Sequence, residues 1–97
     1  MKARVFNVIV QPGKLDELTV GVHEVVQTAA KQQPGFKNAL LLTDSSTNKA
    51  IYISFWETEA DLMASEANGY VREQLAKVMP LLIAAPVQEI YEVSVQE

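Results

Sequence analysis

This sequence predicts an α+β domain: a four-stranded antiparallel sheet with helices packed on one face. Two observations carry that reading. The hydrophobic period alternates between the two-residue repeat of a strand and the longer repeat of a helix, in the order β, α, β, β, α(α), β. Turn residues punctuate the changes of period, namely Pro12-Gly13, Pro34-Gly35, the run from Asp44 to Asn48, and Asn68-Gly69.

Arg4 to Val10 is rich in valine and isoleucine and reads as the first strand. From Lys14 to about Gln32 the period becomes helical, with Leu15, Leu18, Val22, Val25, Val26 and Ala29 on one face. Asp16 and Glu17 suit the first turn of that helix and Lys31 its last, as the helix dipole favours. Gly21 is its weak point. Phe36 to Asp44 reads as a second strand, joined through a short polar loop to a third, Lys49 to Glu57, as an antiparallel hairpin. Thr58 is a good N-cap for a helix running to about Ala67, with Asp61 completing an acidic form of the capping box. A further helix from Tyr70 aligns Val71, Leu75, Val78 and Leu82, and Pro80 should kink or end it. Val87 to Val95 is the last strand, with Val87, Glu89, Tyr91, Val93 and Val95 on one side. This order is that of the split βαβ, ferredoxin-like fold.

The 97 residues fit one domain spanning 1–97. The net charge of −4, from 8 basic and 12 acidic residues, argues against nucleic acid as a partner. The absence of cysteine excludes disulfides and thiolate metal sites, and one histidine gives no metal cluster. No Gly-rich phosphate loop is present. No metal, haem or flavin is expected. No apolar run approaches the ~18–20 residues of a membrane span, nor is there a signal-peptide pattern, so a cytoplasmic location away from membranes is expected.

The third strand is apolar on both sides, with Ile51, Ile53 and Phe55 on one and Tyr52 and Trp56, with Ser54, on the other. Helices cover one face of such a sheet. The other would expose a large apolar surface, unusual for a monomer, so a homodimer with sheets face to face is expected.

Several local patterns agree with a known family. These are Pro34-Gly35-Phe36 entering the second strand, Trp56-Glu57-Thr58-Glu59-Ala60 closing the third, and Met79-Pro80-Leu81-Leu82 before Pro86 and Tyr91-Glu92-Val93. In this order and spacing the chain resembles the antibiotic biosynthesis monooxygenase (ABM) family of dimeric α/β barrels over nearly its whole length. The resemblance implies a pocket between sheet and helices. Similar proteins oxygenate anthrones or quinols without metal or flavin, and others degrade haem. Haem-degrading members use a first-strand asparagine, matched by Asn7, together with a tryptophan near the position of Ser65 and a histidine near that of Leu75. Neither of the latter is present, which argues against haem degradation. Of the anthrone-oxygenating pattern, Trp56 matches, Tyr52 replaces an asparagine, Leu62 replaces a tyrosine, and Arg72 lies near the arginine position.

Each candidate has two readings. Asn7 interrupts an apolar strand, either to hold a substrate oxygen or as an edge or water-bonded amide. Trp56 offers a wall and an indole N–H, or is simply core. Tyr52 shares its face, as a donor to or base for a phenol, or as a packed tyrosine. His23 is a possible general base, or a boundary residue of the first helix. Tyr70 and Arg72, at the start of the third helix, and Leu62 could bind substrate or lie at an interface. The expected function is a cofactor-independent monooxygenase acting on a small aromatic phenol, quinol or anthrone. Asn7, Tyr52 and Trp56 would line one cavity, and Ile51, Ile53 and Phe55 would form the dimer face. The alternative is a non-catalytic small-molecule-binding or dimerisation module of the same fold.

Overall fold

The computed structural model describes all 97 residues. Four strands, β1 (Lys2–Ile9), β2 (Phe36–Asp44), β3 (Lys49–Trp56) and β4 (Val87–Glu92), form one antiparallel sheet in the order β2-β3-β1-β4. Helices α1 (Leu15–Thr28), α2 (Glu59–Ala67) and α3 (Tyr70–Val78) pack on one face of it. This is the ferredoxin-like arrangement. No helix is long and apolar enough to cross a membrane.

The elements depart from the sequence expectation mainly at their ends. α1 stops at Thr28 rather than running to Gln32, and a separate 3₁₀ turn, Ala30–Gln32, follows it. Ala29 breaks the helix with φ −125°, which turns Ala30 into the core. Pro80 ends α3 as expected, by entering a 3₁₀ turn at Met79–Leu81. β4 ends at Glu92, three residues before Val95, because it pairs only with β1, whose register with it runs out at Lys2. β1 begins at Lys2, two residues earlier than expected, opposite Trp56 and Glu92.

The α2 start follows its sequence signal. Thr58 Oγ1 accepts from the Asp61 backbone N–H at 3.1 Å and donates to the Asp61 carboxylate at 2.9 Å. This capping fixes the angle at which the chain leaves β3, and so where α2 crosses the sheet.

Register assigns the two sheet faces. Arg4 lies opposite Ser54 and Phe6 opposite Tyr52, and these four side chains face the helices. Val5 opposite Ile53 and Asn7 opposite Ile51 therefore share the other face. On the helix side the buried residues form two small clusters. One is Val10, Leu18, Ala50 and Leu82; the other is Ala30, Trp56, Leu62 and Tyr70. On the far side Leu40, Leu42, Ile9 and Val87 are exposed, and only 12 of 97 residues in the isolated chain are buried. The core is small because half the apolar surface of the sheet has nothing against it.

Gly35 joins the 3₁₀ turn to β2. Its φ of +79° is a left-handed conformation, and a Cβ there would collide with the Asp61 side chain. Its carbonyl also accepts from Glu57 N–H at 2.8 Å. Gly35→Ala should therefore destabilise the chain by more than ~1 kcal/mol, from backbone strain together with the damaged α2 cap. Urea unfolding checks this, and an unchanged midpoint would contradict the account of the junction.

Candidate functional site

Between the two core clusters the helices do not close on the sheet, and a pocket of about 80 Å³ remains. Its floor is the helix-facing side of the sheet: Arg4, Phe6 and Val8 from β1, Tyr52 and Ser54 from β3, and Leu41 from β2. α1 contributes Leu18, Val22 and Val25, three positions of its predicted apolar stripe. α3 contributes Val71, Leu75 and Val78 from its stripe, with Tyr70 and Gln74 beside them. Eleven of the 14 lining residues are hydrophobic. A cavity of ~150 Å³ is known to hold benzene, so this pocket is smaller than one aromatic ring requires and has to widen to admit one.

Arg4 is the least expected feature. Its side chain is only 2% exposed. Nη2 donates to the Leu62 carbonyl at 2.9 Å and to Ser65 Oγ at 2.7 Å, while Ser65 Oγ itself donates to the Leu62 carbonyl at 2.6 Å. The guanidinium lies 5.2 Å from the centre of the Trp56 ring, a cation–π distance. Nε is buried without a hydrogen-bond partner, its nearest carboxylate oxygen being Glu66 Oε1 at 3.6 Å. Burial lowers the Arg4 pKa, and the opposing field of Glu66 does not fully offset it. Arginine nonetheless stays charged at any ordinary pH.

Tyr52 carries the other unpartnered buried polar atom of the chain, its hydroxyl oxygen. Burial raises its pKa well above the ordinary tyrosine value, with a further contribution from Tyr70, against a smaller lowering by Arg4. Tyr70 is raised for the same reason. Both phenols are protonated at neutral pH. Tyr52 can donate a hydrogen bond there, but the phenolate-base role considered from sequence is not available to it.

The structure separates the remaining candidates. Trp56 faces the helices, as parity requires, yet it does not line the pocket. It is completely buried behind Arg4, with its Nε1–H donated to Ser54 Oγ at 3.0 Å and its ring edge-on to Phe36 and Tyr70. Asn7 lies on the opposite face of the sheet, where its Nδ2 donates to Glu89 Oε1 at 2.7 Å. The shared cavity expected for Asn7, Tyr52 and Trp56 is thus corrected, because Asn7 is one residue out of phase with Arg4, Phe6 and Val8. His23 is exposed on α1 and does not line the pocket. Leu62 is fully buried in the Trp56 cluster, and Tyr70 lines the pocket. Arg72 lines a shallow outer groove with Glu66, Met79 and Gln88. That groove shares Val71 and Leu75 with the pocket, so these two side chains form the wall between them.

Arg4, Ser54 and Gln74 were missed from sequence. Arg4 looked like the polar start of a strand. The available signal was its even spacing with Phe6 and Val8, which places it on their face of the strand.

The polar lining is chemically one-sided. No His, Asp or Glu lines the pocket. Arg4 and the protonated Tyr52 and Tyr70 present N–H and O–H groups, and Ser54 Oγ already accepts from Trp56. The Gln74 amide carbonyl accepts from Lys77, so the groups left over are mainly donors, and no three His, Cys, Asp or Glu side chains converge anywhere in the chain.

No family model and no curated protein matches the sequence. Solved structures do match its fold. A protein of Bordetella bronchiseptica assigned by name to the antibiotic biosynthesis monooxygenases superposes with TM-score 0.80 at 16% identity, covering 94% of each chain. The asparagine-to-alanine variant of SnoaB, a cofactor-independent oxygenase from Streptomyces nogalater, gives TM-score 0.79 at 14% identity, covering 98% of this chain and 94% of its own. NE2512 of Nitrosomonas europaea, a protein of unknown function, gives 0.77 at 18% identity, covering 99% and 91%. The chain has the fold of the antibiotic biosynthesis monooxygenases.

The electrostatics predict a titration. Tyr52 and Tyr70 are raised by burial, and exposed Tyr91 is raised by its hydrogen bond to Glu89. No tyrosinate absorbance should develop below about pH 10. Because the folded pKa of Tyr52 exceeds its unfolded value, its contribution to stability is complete below the unfolded pKa of ~10 and is lost as pH rises above it. Ultraviolet titration checks the first statement and alkaline unfolding the second. A tyrosinate signal at mildly alkaline pH in the folded protein would overturn both.

Proposed function

We propose that this protein is a small, homodimeric, cofactor-independent monooxygenase acting on a one-ring phenol or quinol. The observation that carries the reading is the pocket between sheet and helices, an apolar space with a protonated, unpartnered Tyr52 hydroxyl and a buried Arg4 at its wall. Its likeness in fold to a cofactor-independent oxygenase supports it. A small pocket that must widen for any ring supports a single ring better than a fused anthrone.

The chemistry the site supports is oxidation of an electron-rich ring carbon. An ionised phenol delocalises charge onto that carbon, which gives electrons to O₂ and forms a C–O bond. The peroxide anion takes a proton from solvent to become a hydroperoxide on a ring carbon that carries hydrogen, and loss of that C–H proton to water as the O–O bond breaks expels hydroxide, which the proton neutralises to water. The carbon becomes a carbonyl, the second oxygen leaves as water, and no other reductant is consumed. Arg4 and Tyr52 would hold the ring oxygen as its charge changes, in a site from which the valine and leucine walls exclude water. His23, Asn7 and Trp56 are left out of this mechanism because none of them lines the pocket.

A second reading, a non-catalytic binding module, is favoured by one specific observation: the pocket has no histidine or carboxylate to act as a base. Oxygen uptake separates the two. With a panel of one-ring quinols and phenols, the wild-type protein should consume O₂ faster than autoxidation. Tyr52→Phe should slow turnover by about 10²-fold, the usual effect of losing one donor to a developing anion. Tyr52→Phe should also leave stability unchanged or raise it by up to ~1 kcal/mol, since the hydroxyl has no partner in the chain. Ligand-induced thermal shifts without any oxygen uptake would assign the binding module instead.

The dimer is proposed on the open sheet face. Leu40 and Leu42 of β2, Ile51, Ile53 and Phe55 of β3, and Val5 and Ile9 of β1 lie there, and Leu40, Leu42 and Ile9 are exposed in the single chain. Pairing this face with its copy removes the surface from water. Asn7 and Tyr91 both hydrogen-bond Glu89, so this carboxylate of the open face would enter the interface with donors already in place. Ile53→Asp should give monomers or unfolded chain in sedimentation at micromolar concentration, where the parent protein sediments as a dimer. A monomeric parent would remove this part of the reading.

A further inference from the structure

Only two buried side-chain N or O atoms in the chain lack a hydrogen-bond partner, Arg4 Nε and the Tyr52 hydroxyl, and both residues line the same pocket. Buried polar groups are almost always paired, and leaving one unmade costs about 1–3 kcal/mol. Arg4 Nε is turned toward Glu66, which does not line the pocket, but the Tyr52 hydroxyl has no partner in the chain, and beside the Arg4 charge it marks a place for something that is not part of the chain.

The character of the missing partner follows from what surrounds it. Arg4 Nη2 is occupied by Leu62 and Ser65, so both hydrogen bonds of the guanidinium leave from one end. Glu66, its only salt-bridge partner, is 3.6 Å from Nε, is itself 31% exposed, and shares its oxygen with Gln88. Water therefore screens Glu66 more than it screens the guanidinium. The remaining polar groups of the pocket are two phenols, Ser54, whose oxygen already accepts from Trp56, and the Gln74 amide. There is no carboxylate and no histidine to pair with a cation or to take a proton from a neutral acid.

We infer that the pocket selects its ligand as an oxyanion: a one-ring aromatic compound whose ionised oxygen, phenolate or carboxylate, meets Arg4 and Tyr52 while its ring packs among the valines and leucines of α1 and α3. The charge arrives with the ligand. This supplies what the lining lacks, because a ligand bound already ionised needs no base in the pocket. Arg4 is then the specificity-determining residue. The inference rests on the pocket being the ligand site, as proposed above, but not on any reaction with oxygen.

Two matched probe pairs test it on the intact protein. Benzoate is compared with benzamide, and 4-nitrophenol with 4-nitroanisole, each by calorimetry. In at least one pair the anion should bind about 10- to 100-fold more tightly than its neutral counterpart, the range expected for hydrogen bonds to a charged group. The pair that discriminates names the source of the oxyanion. At a pH just below its own pKa, 4-nitrophenol should turn more yellow on adding protein, because the pocket favours its phenolate. Arg4→Gln, shown to be folded by circular dichroism, should lose both effects. Equal or tighter binding of the neutral members in both pairs, no binding by any probe, or a folded Arg4→Gln that still prefers anions would each overturn the inference. Should that variant not fold, the wild-type anion-to-neutral ratios decide alone. Oxygen uptake distinguishes this inference from the enzymatic reading. Anion selectivity without uptake sinks the oxygenase and leaves the inference standing. Uptake on phenols without anion selectivity does the reverse.

Discussion

The buried guanidinium of Arg4 ties the helix-side structure together. It starts on β1, lies against Trp56 at the end of β3, and reaches α2 through the Leu62 carbonyl and Ser65. Ser65 is buried and bonded back to the same carbonyl, so the α2 end of the contact is fixed in turn. A charge held this far from water is strongly destabilising if its partners are removed. The sheet, the Trp56 cluster and α2 are therefore set relative to one another by a polar contact more specific in direction than apolar packing. The pocket lies on the other side of that contact, which is why its wall carries a positive charge.

Much of this fold was legible in the sequence. Pro34-Gly35 and Asn68-Gly69 bracket elements that appear where expected, and Thr58 caps α2 through Asp61. These signals are local: a left-handed turn or an N-cap depends on a few adjacent residues. The end of α1 was not legible, because Ala29 and Ala30 suit a helix by propensity and only packing of Ala30 against the Trp56 cluster turns the chain there. The extension of β1 to Lys2 was hidden similarly, since its pairing with Trp56 and Glu92 is a long-range property.

The site was legible only in part, and the reason is parity. Tyr52 and Trp56 were placed on one face by spacing within a single strand, and the structure keeps them there. Asn7 is on another strand, and only the resemblance to haem-degrading proteins set it on their side. Register pairs it with Ile51 rather than with Tyr52, so it belongs to the open face. A slip of one residue in an inferred pairing exchanges the two faces completely. The same phase puts Arg4 opposite Ser54 and inside, where a strand-initial arginine would ordinarily be read as solvated. Trp56 shows a further limit: facing the right side of a sheet does not make a side chain part of a pocket, since Arg4 stands between it and the space.

Site and assembly are linked through stability. The Tyr52 hydroxyl at the pocket and Arg4 Nε beside Glu66 have no hydrogen-bond partners in the chain, and the helix-side core is split into two clusters of four buried residues each. Each of these features lowers the stability of the single chain. On the other side of the sheet, apolar side chains with nothing against them form a reserve of hydrophobic free energy. In the proposed dimer that reserve offsets the cost of the pocket. On that proposal the two faces of one sheet have complementary tasks: one would stay underpacked and charged to admit a ligand, and the other would be closed by a second copy so that the fold tolerates it.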